Sequence, residues 1–501
     1  MNYAVALSPI LVFLALLLLP RFRVQHVAIL SFVYTALLAS SRWSVSVAQL
    51  GAAFGKGFFL TLDILLIVFG AIAFLNYLKQ VGVIVRLEAL LGSLSPDRRV
   101  QSVLLAWLFG GFVEGTSGFG TPALVVAPLL VGIGFPSLLA VVVCLIANST
   151  AVAFGAVGTP LRIGFAGLEI AQVAEKAALI NLISGSLVPL LIVAFVVMFG
   201  PSKQRAKAFF ECVPWAIFSA LAFLVPYYAI SFIGFEFPSI VGAAVGLALA
   251  IVSIRLNFLV PRSTFRFTAD APKLATPPSP ISLAPLGPYL LLLAVLIAGK
   301  LLLSQVKVSV ALSGNLSHSF PLFNPGFAFL TTILLLNVIK RLPSKELVRI
   351  GAASLGPIKT TAASVCFVAA MTYTMALTSF GNTQGMLQVI AQPLANQALP
   401  FFSVFIGAFG SFLAGSATVS NILFAPIQAQ AAEQLGYPVP WILALQLVGA
   451  GVGNMIALPN LLAVEASVGM SNQETALLRR LALPCLLYLA LSGLVGQLLC
   501  S

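Results

Sequence analysis

Apolar stretches of seventeen or more residues recur from end to end of the chain, and lysines and arginines gather in the short polar segments between them. A helix needs about 20 consecutive apolar residues to cross a bilayer. The pattern predicts full spans near 3–20, 26–40, 57–79, 137–157, 177–200, 214–231, 237–254, 286–304, 324–340, 352–378, 437–460 and 481–500. Two further stretches, 102–135 and 399–435, are apolar but broken at their centres. Arms of roughly 13 to 16 residues are short for a crossing. Each stretch is therefore expected to be a re-entrant hairpin with its tip near the midplane. Two complete spans apiece would leave the sidedness of every loop unchanged.

The two interruptions resemble each other. Gly110-Gly-Phe-Val-Glu-Gly-Thr-Ser-Gly118 returns, altered, as Gly410-Ser-Phe-Leu-Ala-Gly-Ser-Ala-Thr418. Each copy is followed by a second polar break, Ala147-Asn-Ser-Thr150 in the first half and Gly451-Val-Gly-Asn454 in the second. Glycine spacing of this sort also arises where helices merely pack closely. Irregular backbone at membrane depth, however, is tolerated only inside protein or around a watery cavity. Paired interruptions in two halves of a chain are the best sequence pointer to the binding site of a secondary transporter.

Charge sets the expected orientation. With the N-terminus outside, nineteen lysines and arginines fall in inside loops and five in outside ones, while Lys300 and Lys359 fall within spans. That bias places both termini outside. The hairpin 102–135 then enters from the cytoplasm and 399–435 from outside. Residues 1–200 and 286–501 are expected to be inverted repeats, with broken helices 137–157 and 437–460 at the midplane. Residues 201–285 lie between them and supply two spans, followed by a basic, proline-rich cytoplasmic linker running from Arg255 to Pro288. An inverted repeat provides the two mirror-related states that alternating access requires.

Composition sharpens this picture: 60% of residues are hydrophobic, 8% are charged and the mean hydropathy is +1.09, against about a quarter charged in soluble domains. The expected fold class is an all-α polytopic membrane protein with about twelve transmembrane helices plus the two hairpins. The net charge of +13 does not point to nucleic acid, because its carriers sit in loops between spans. Cys144, Cys212, Cys366, Cys485 and Cys500 lack metal-ligand spacing and read as small thiols in apolar surroundings. No basic residue precedes the apolar N-terminus, which reads against a cleavable signal peptide. Enzyme motifs are absent from the sequence, and no cofactor or metal is expected.

Charges inside the membrane are expensive and therefore mark function. Glu114, flanked by glycines, Thr116 and Ser117 at the first hairpin tip, is the foremost proton-carrier candidate; a structural acid bonded to the opposite hairpin is the alternative. Asp63, placed about two turns into its span, is a second carrier or reaches a wet vestibule. His26 and His318 are expected to lie in loops, outside the core chemistry. For a transported anion, broken helices offer unpaired N–H groups and positive dipole ends, here after Gly115, Asn148, Gly415 and Asn454. Arg162 and Lys359 are candidate cations, unless they snorkel to the interface. Asn148, Ser149, Thr150, Ser416, Thr418, Ser420, Asn421 and Asn454 complete the expected lining.

At these motifs the chain resembles the lactate permease family. The resemblance is carried by Phe112-Val-Glu-Gly-Thr-Ser-Gly-Phe-Gly-Thr-Pro122, Cys144-Leu-Ile-Ala-Asn148 and Val152-Ala-Phe-Gly-Ala-Val-Gly158. It continues at Gly234-Phe-Glu-Phe-Pro238, Phe412-Leu-Ala-Gly-Ser416 and Ser420-Asn-Ile-Leu-Phe424. It implies proton-coupled import of lactate, glycolate and related 2-hydroxy monocarboxylates across a bacterial cytoplasmic membrane. The chain departs from the family pattern at Ala417, where an aspartate is common, at Asn454, where a lysine is common, and at Arg162, where members are usually apolar. Losing an acid and a base together reads as removal of a mutually neutralising pair. The expected partners are a small carboxylate, a co-transported proton or sodium, and the bilayer. Oligomeric state stays open, a homodimer being one option. Carriage of another organic anion such as a dicarboxylate is the alternative function, and an anion channel or a non-transporting membrane subunit is the alternative of a different class.

Overall fold

The computed structural model describes residues 3–17, 19, 24–118, 120–166, 168–170, 172–200, 205–267, 285, 287–303, 306–312, 317–356, 358–378 and 384–500. The first half runs through α1 (Tyr3–Leu17), α2 (Val24–Trp43), the long α3 (Val47–Gln80) and a short α4 (Val83–Ser93). Next come α5 (Arg98–Ser102), a π-helical stretch Val103–Phe109 and α6 (Gly110–Ser117), which form one rod, and α7 (Thr121–Gly132) turns back from it. Helix α8 (Ser137–Ala151) passes through a 3-10 turn, Val152–Phe154, into α9 (Gly155–Arg162). The half closes with α10 (Val173–Ser184) and α11 (Leu187–Phe199). Helices α12 (Arg205–Ser231) and α13 (Pro238–Arg255) lead to α14 (Gly287–Leu303).

A β-hairpin follows, β1 (Lys307–Ala311) with β2 (Ser317–Pro321), antiparallel and in register at Ser309 and Ser319. The second half continues with α15 (Pro325–Lys340), α16 (Ser344–Leu355), α17 (Ile358–Leu377) and α18 (Met386–Ala391). It ends with α19 (Leu399–Ala414), α20 (Ala417–Leu435), α21 (Val439–Gly453), α22 (Leu458–Ser467) and α23 (Glu474–Cys500). Among the described residues, eight helical segments are long and apolar enough to cross a bilayer, and six shorter apolar helices accompany them. The chain is a multi-pass membrane protein.

Three elements differ from the sequence reading. Helix α3 starts at Val47 rather than 57, because Ser46 and Gln49 form a capping box and two of the glycines that follow, Gly55 and Gly57, face neighbours. A Cβ on Gly57 would lie 2.6 Å from the Cys366 carbonyl oxygen, so glycine there lets α17 dock on α3. The predicted span 352–378 starts in the last four residues of α16 and otherwise coincides with α17, Ile358–Leu377. The β-hairpin breaks an otherwise helical chain; its Val308 and Val310 alternate with polar residues, a short period-two signal.

The broken helix is central: 94% of the apolar window in Ser137–Arg162 is buried, against 28% in Val24–Trp43, which lies at the edge. Helix α3 packs on α15 and α17, and α17 also packs on α2. Helix α20 reaches across to α9, and α7 to α22. The base of the first rod is clamped. Arg99, fully buried, donates to Asp97 at 2.6 Å, to the Ala208 carbonyl at 2.6 Å and to the Ser263 carbonyl at 2.6 Å. Asp97 also accepts from the Arg99 and Phe265 N–H groups, tying the segment after α13 to the start of α5.

Candidate functional site

Four interruptions converge. Helix α6 ends at Gly118 (φ 59°) and α7 starts after Gly120 (φ 73°). Helix α19 ends at Gly415 (φ 67°), and the Ser416 hydroxyl caps α20 by accepting from the Val419 N–H at 3.4 Å. Helix α21 stops at Gly453 and α22 resumes at Leu458, with Asn454 as the first residue of the gap. Within α9 the backbone turns left-handed at Ala156, Val157 and Gly158 (φ 43°, 56° and 76°). The breaks abut closely: a Cβ on Gly118 would lie 2.6 Å from that of Ala156, and one on Gly415 would lie 2.8 Å from Pro459.

The left-handed turn stores strain, since that conformation costs about 1–2 kcal/mol for each non-glycine residue and β-branched Val157 is among the worst suited. Hydrogen bonds hold it in place. Thr159 Oγ1 donates to the Ala156 carbonyl at 2.6 Å. The carbonyls that α8 leaves open accept from other helices, Thr150 O from the Tyr227 hydroxyl at 3.2 Å and Ala151 O from the Ser239 hydroxyl at 2.7 Å. The sequence reading put this break at 147–150. Those residues are helical, and the break follows them at 152–158.

Between the breaks lies a cavity of about 330 Å³, near the small end of ligand pockets. Its wall combines Glu114, Gly118 and Gly120 with Val152, Gly155, Ala156, Thr159 and Pro160 from the first half. The second half contributes Gly415, Ser416, Ala417, Thr418, Val419, Asn454 and Pro459. Ile64, Val68 and Ile72 of α3 and Ser364 and Val365 of α17 close the sides. Ala417 and Asn454, two of the family departures, share this wall. A smaller pocket of about 30 Å³ adjoins it between Asn148, Asn454 and Asn460.

Glu114 is the one charged side chain on the described wall. It is 2% exposed, and Gly155 makes room for it: a Cβ there would lie 2.5 Å from Oε1. Asn148 is within hydrogen-bonding reach of the carboxyl. Among the described residues, Glu114 Oε2 and Asn148 Oδ1 are both buried without a partner. Positive potential comes from helix starts. Gly120, Ser416 and Pro459 put the first turns of α7, α20 and α22 on the wall, where N–H groups lack intrahelical partners and each end amounts to about half a charge.

The structure brings together Glu114, Gly415, Ser416, Thr418 and Asn454 from the predicted set, with Asn148 on the adjoining pocket. The others lie elsewhere. Gly115 packs on α13, where a Cβ would lie 2.7 Å from the Ile240 nitrogen. The Thr116 and Ser149 hydroxyls bond their own helices at Val113 O and Ile146 O, and buried Ser117 lines no described cavity. Thr150 joins a ring with Tyr488, Asn181 and Tyr227. Ser420 donates to Gly407 O at 2.7 Å, and Asn421 donates to Pro160 O at 3.0 Å. Asp63 is half-buried near the middle of α3, well beyond the two turns expected from its outer end. Arg162 donates to the Phe323 carbonyl at 3.2 Å and lies within electrostatic reach of Asp63 and Glu236. Glu236 in turn pairs with Lys300 at 2.6 Å, so Arg162 belongs to a balanced charge cluster off the cavity wall. Lys359 is the second residue of α17; its side chain lies outside the described residues.

Sequence reasoning missed the wall made by Ala156, Thr159 and Pro160. The punctuation Gly155-Ala-Val-Gly158-Thr-Pro160 was the available signal. It also missed Gln446 and Gln428, which extend the Asn421 network with bonds of 3.1 Å and 2.6 Å. Single glutamines inside apolar runs give no sign of which helix they face.

The family described as L-lactate permease matches residues 2–308 and 298–501 of the chain. A Haemophilus influenzae protein provisionally described as an L-lactate permease is 30% identical over 461 residues, 84% of each chain. The L-lactate permease of Streptococcus iniae is 28% identical over 76% of this chain and 80% of its own. The glycolate permease of Escherichia coli is 26% identical over 99% of this chain and 95% of its own.

Proposed function

Because the chain belongs to the L-lactate permease family, we propose that it is a secondary transporter importing a small 2-hydroxy monocarboxylate, of lactate or glycolate type, with a proton. The observation that carries the coupling is Glu114, buried on the wall of a cavity whose described lining holds no cation. Two carboxylates about 4 Å apart repel by roughly 4 kcal/mol at an effective dielectric of 20. A substrate anion therefore binds once Glu114 holds a proton, and that proton can then be donated to it in a hydrogen bond. Helix starts balance the one remaining charge. The second charge of a dicarboxylate would go unpaired at a cost of several kcal/mol, so the absence of a cation among the described wall residues favours the monocarboxylate.

Reciprocal packing supports the inverted-repeat reading. Helices α20 on α9 and α7 on α22 are mutual counterparts under that symmetry, as are α15 on α3 and α2 on α17. With the charge bias, this favours a carrier in a bacterial cytoplasmic membrane with both termini outside. A second reading, sodium coupling, is favoured by the pair of unpartnered oxygens Glu114 Oε2 and Asn148 Oδ1, which a small cation would satisfy as well as a proton does. Proteoliposomes given pH and sodium gradients separately, with a panel of labelled carboxylates, test both. Lactate or glycolate accumulation driven by the pH gradient alone is expected. Accumulation driven only by sodium would replace the proton, and absence of saturable counterflow would leave a channel.

A further inference from the structure

Non-glycine residues in left-handed backbone persist only where their surroundings over-determine them, and the surroundings of Ala156 and Val157 lead to α14. The connection between α12 and α13, Gly234-Phe-Glu-Phe-Pro238, lies against the turn. A Cβ on Gly158 would stand 2.5 Å from the Phe235 carbonyl oxygen and 2.6 Å from the Phe235 ring, so the two backbones touch. Lys300 of α14 holds that connection in turn. Its ammonium pairs with Glu236 Oε2 at 2.6 Å and stands 5.7 Å and 5.2 Å from the centres of the Phe235 and Phe237 rings. Gly234 leaves the space for this pair: a Cβ there would collide with the ammonium and lie 2.6 Å from Glu236 Oε2.

The far end of α9 returns to the same place. Arg162 donates to the Phe323 carbonyl, and the Phe323 ring packs on Gly299, where a Cβ would lie 3.0 Å from it. Arg162 is also within electrostatic reach of Glu236. Both ends of the wall segment Gly155–Arg162 are thus tied to adjacent residues of α14. A lysine near the end of an apolar helix ordinarily snorkels toward water. Lys300 turns instead to a carboxylate of a residue only 4% exposed, and a buried pair is costly to break by removing one partner. The segment held in this way serves the cavity twice: Ala156, Thr159 and Pro160 line it, and Gly155 abuts Glu114.

We propose that Lys300 is a positioning residue for substrate binding: through Glu236 and the Phe235 backbone it fixes the left-handed turn, and with it the shape of the cavity wall beside Glu114. The role in binding rests on the carboxylate-carrier reading above, and the first measurement is independent of it. In purified Cys500→Ser protein, whose other four cysteines are buried, a Thr418→Cys reporter is labelled with a thiol reagent. It lies on α20, which packs on α9, and a Ser364→Cys reporter on α17 serves as control. Lys300→Met removes the ammonium; Gly234→Ala parts the ion pair while keeping both charges. Each is expected to change the labelling rate at least fivefold at Thr418→Cys and less than twofold at Ser364→Cys. The second measurement is counterflow of whichever carboxylate the wild-type protein carries. Both variants should raise the half-saturating concentration at least tenfold with the maximal rate held within threefold. Lys300→Gln, neutral but still a donor, should raise it by three- to tenfold, and it decides the matter where Lys300→Met does not assemble. Unchanged labelling at Thr418→Cys, or an equal change at both reporters, overturns the positioning role. A loss of affinity in Lys300→Met that Gly234→Ala does not share also overturns it, since the lysine would then act by charge alone. A wild-type protein that carries no carboxylate removes the transport reading, while the labelling rates still decide whether Lys300 sets the wall.

Discussion

A carboxyl held 2% exposed against a glycine, with an oxygen that no described residue satisfies, is costly in the ionised form, because an unpaired buried charge is among the dearest arrangements a protein can hold. Glu114→Gln keeps the shape and fixes the neutral state. It is expected to abolish uptake driven by a pH gradient while sparing part of the substrate exchange, measured in proteoliposomes; unchanged proton-driven uptake removes Glu114 from the coupling step. Arg162 sits among Asp63 and Glu236 rather than on the cavity wall. Arg162→Gln and Lys359→Gln should each change monocarboxylate affinity less than tenfold, below about 1.4 kcal/mol. A complete loss of binding in either variant would make that residue a direct ligand. At this scale, glycines and hydroxyls in apolar surroundings made Glu114, Gly415, Ser416, Thr418 and Asn454 legible in the sequence. Helical phase hid the rest: Ser420 lies about 200° round the helix from Thr418, and it faces Gly407 rather than the cavity.

Helix breaks were legible as polar punctuation, but their positions were not. The polar run at Asn148 to Thr150 suggested unwound backbone, yet α8 continues to Ala151 because these side chains bond within the helix or to neighbouring helices. The chain unwinds where Tyr227 and Ser239, from α12 and α13, accept the task of bonding the freed carbonyls, a tertiary fact that local sequence cannot carry. Tyr227→Phe would leave the Thr150 carbonyl and the Asn181 amide short of a partner in a fully buried site. The expected cost is about 1–3 kcal/mol, seen as a lower unfolding temperature of the purified protein in detergent. A variant with unchanged melting would mean that the ring around Thr150 does not hold the break. The same logic explains α3: glycines that look like loop material in sequence are contact points for α17 and α15.

For the whole molecule, the charge bias and the repeated motif predict sidedness, which the arrangement of helices alone does not state. Arg262→Cys is expected to react with impermeant reagent only from the cytoplasm and Val308→Cys, on the exposed face of β1, only from outside; the reverse pattern would invert the carrier. Energetics follow from the count of charges that cross. One proton with one monocarboxylate carries no net charge, so such a carrier feels the pH difference and is indifferent to voltage. Each further cation would add roughly 2.3 kcal/mol of drive per 100 mV. Glu114 is the single ionisable group on the described wall of the central cavity, which provides for one proton per cycle. At a fixed pH gradient, a potassium diffusion potential of about 100 mV, inside negative, should therefore leave the steady-state accumulation ratio unchanged. A second cation would raise that ratio by a factor of about 50, the 2.3 kcal/mol expressed at tenfold per 1.4 kcal/mol. A response of that size would require a second carrier group, and half-buried Asp63, facing Arg162 on the outer side of the cavity, is where it would be sought.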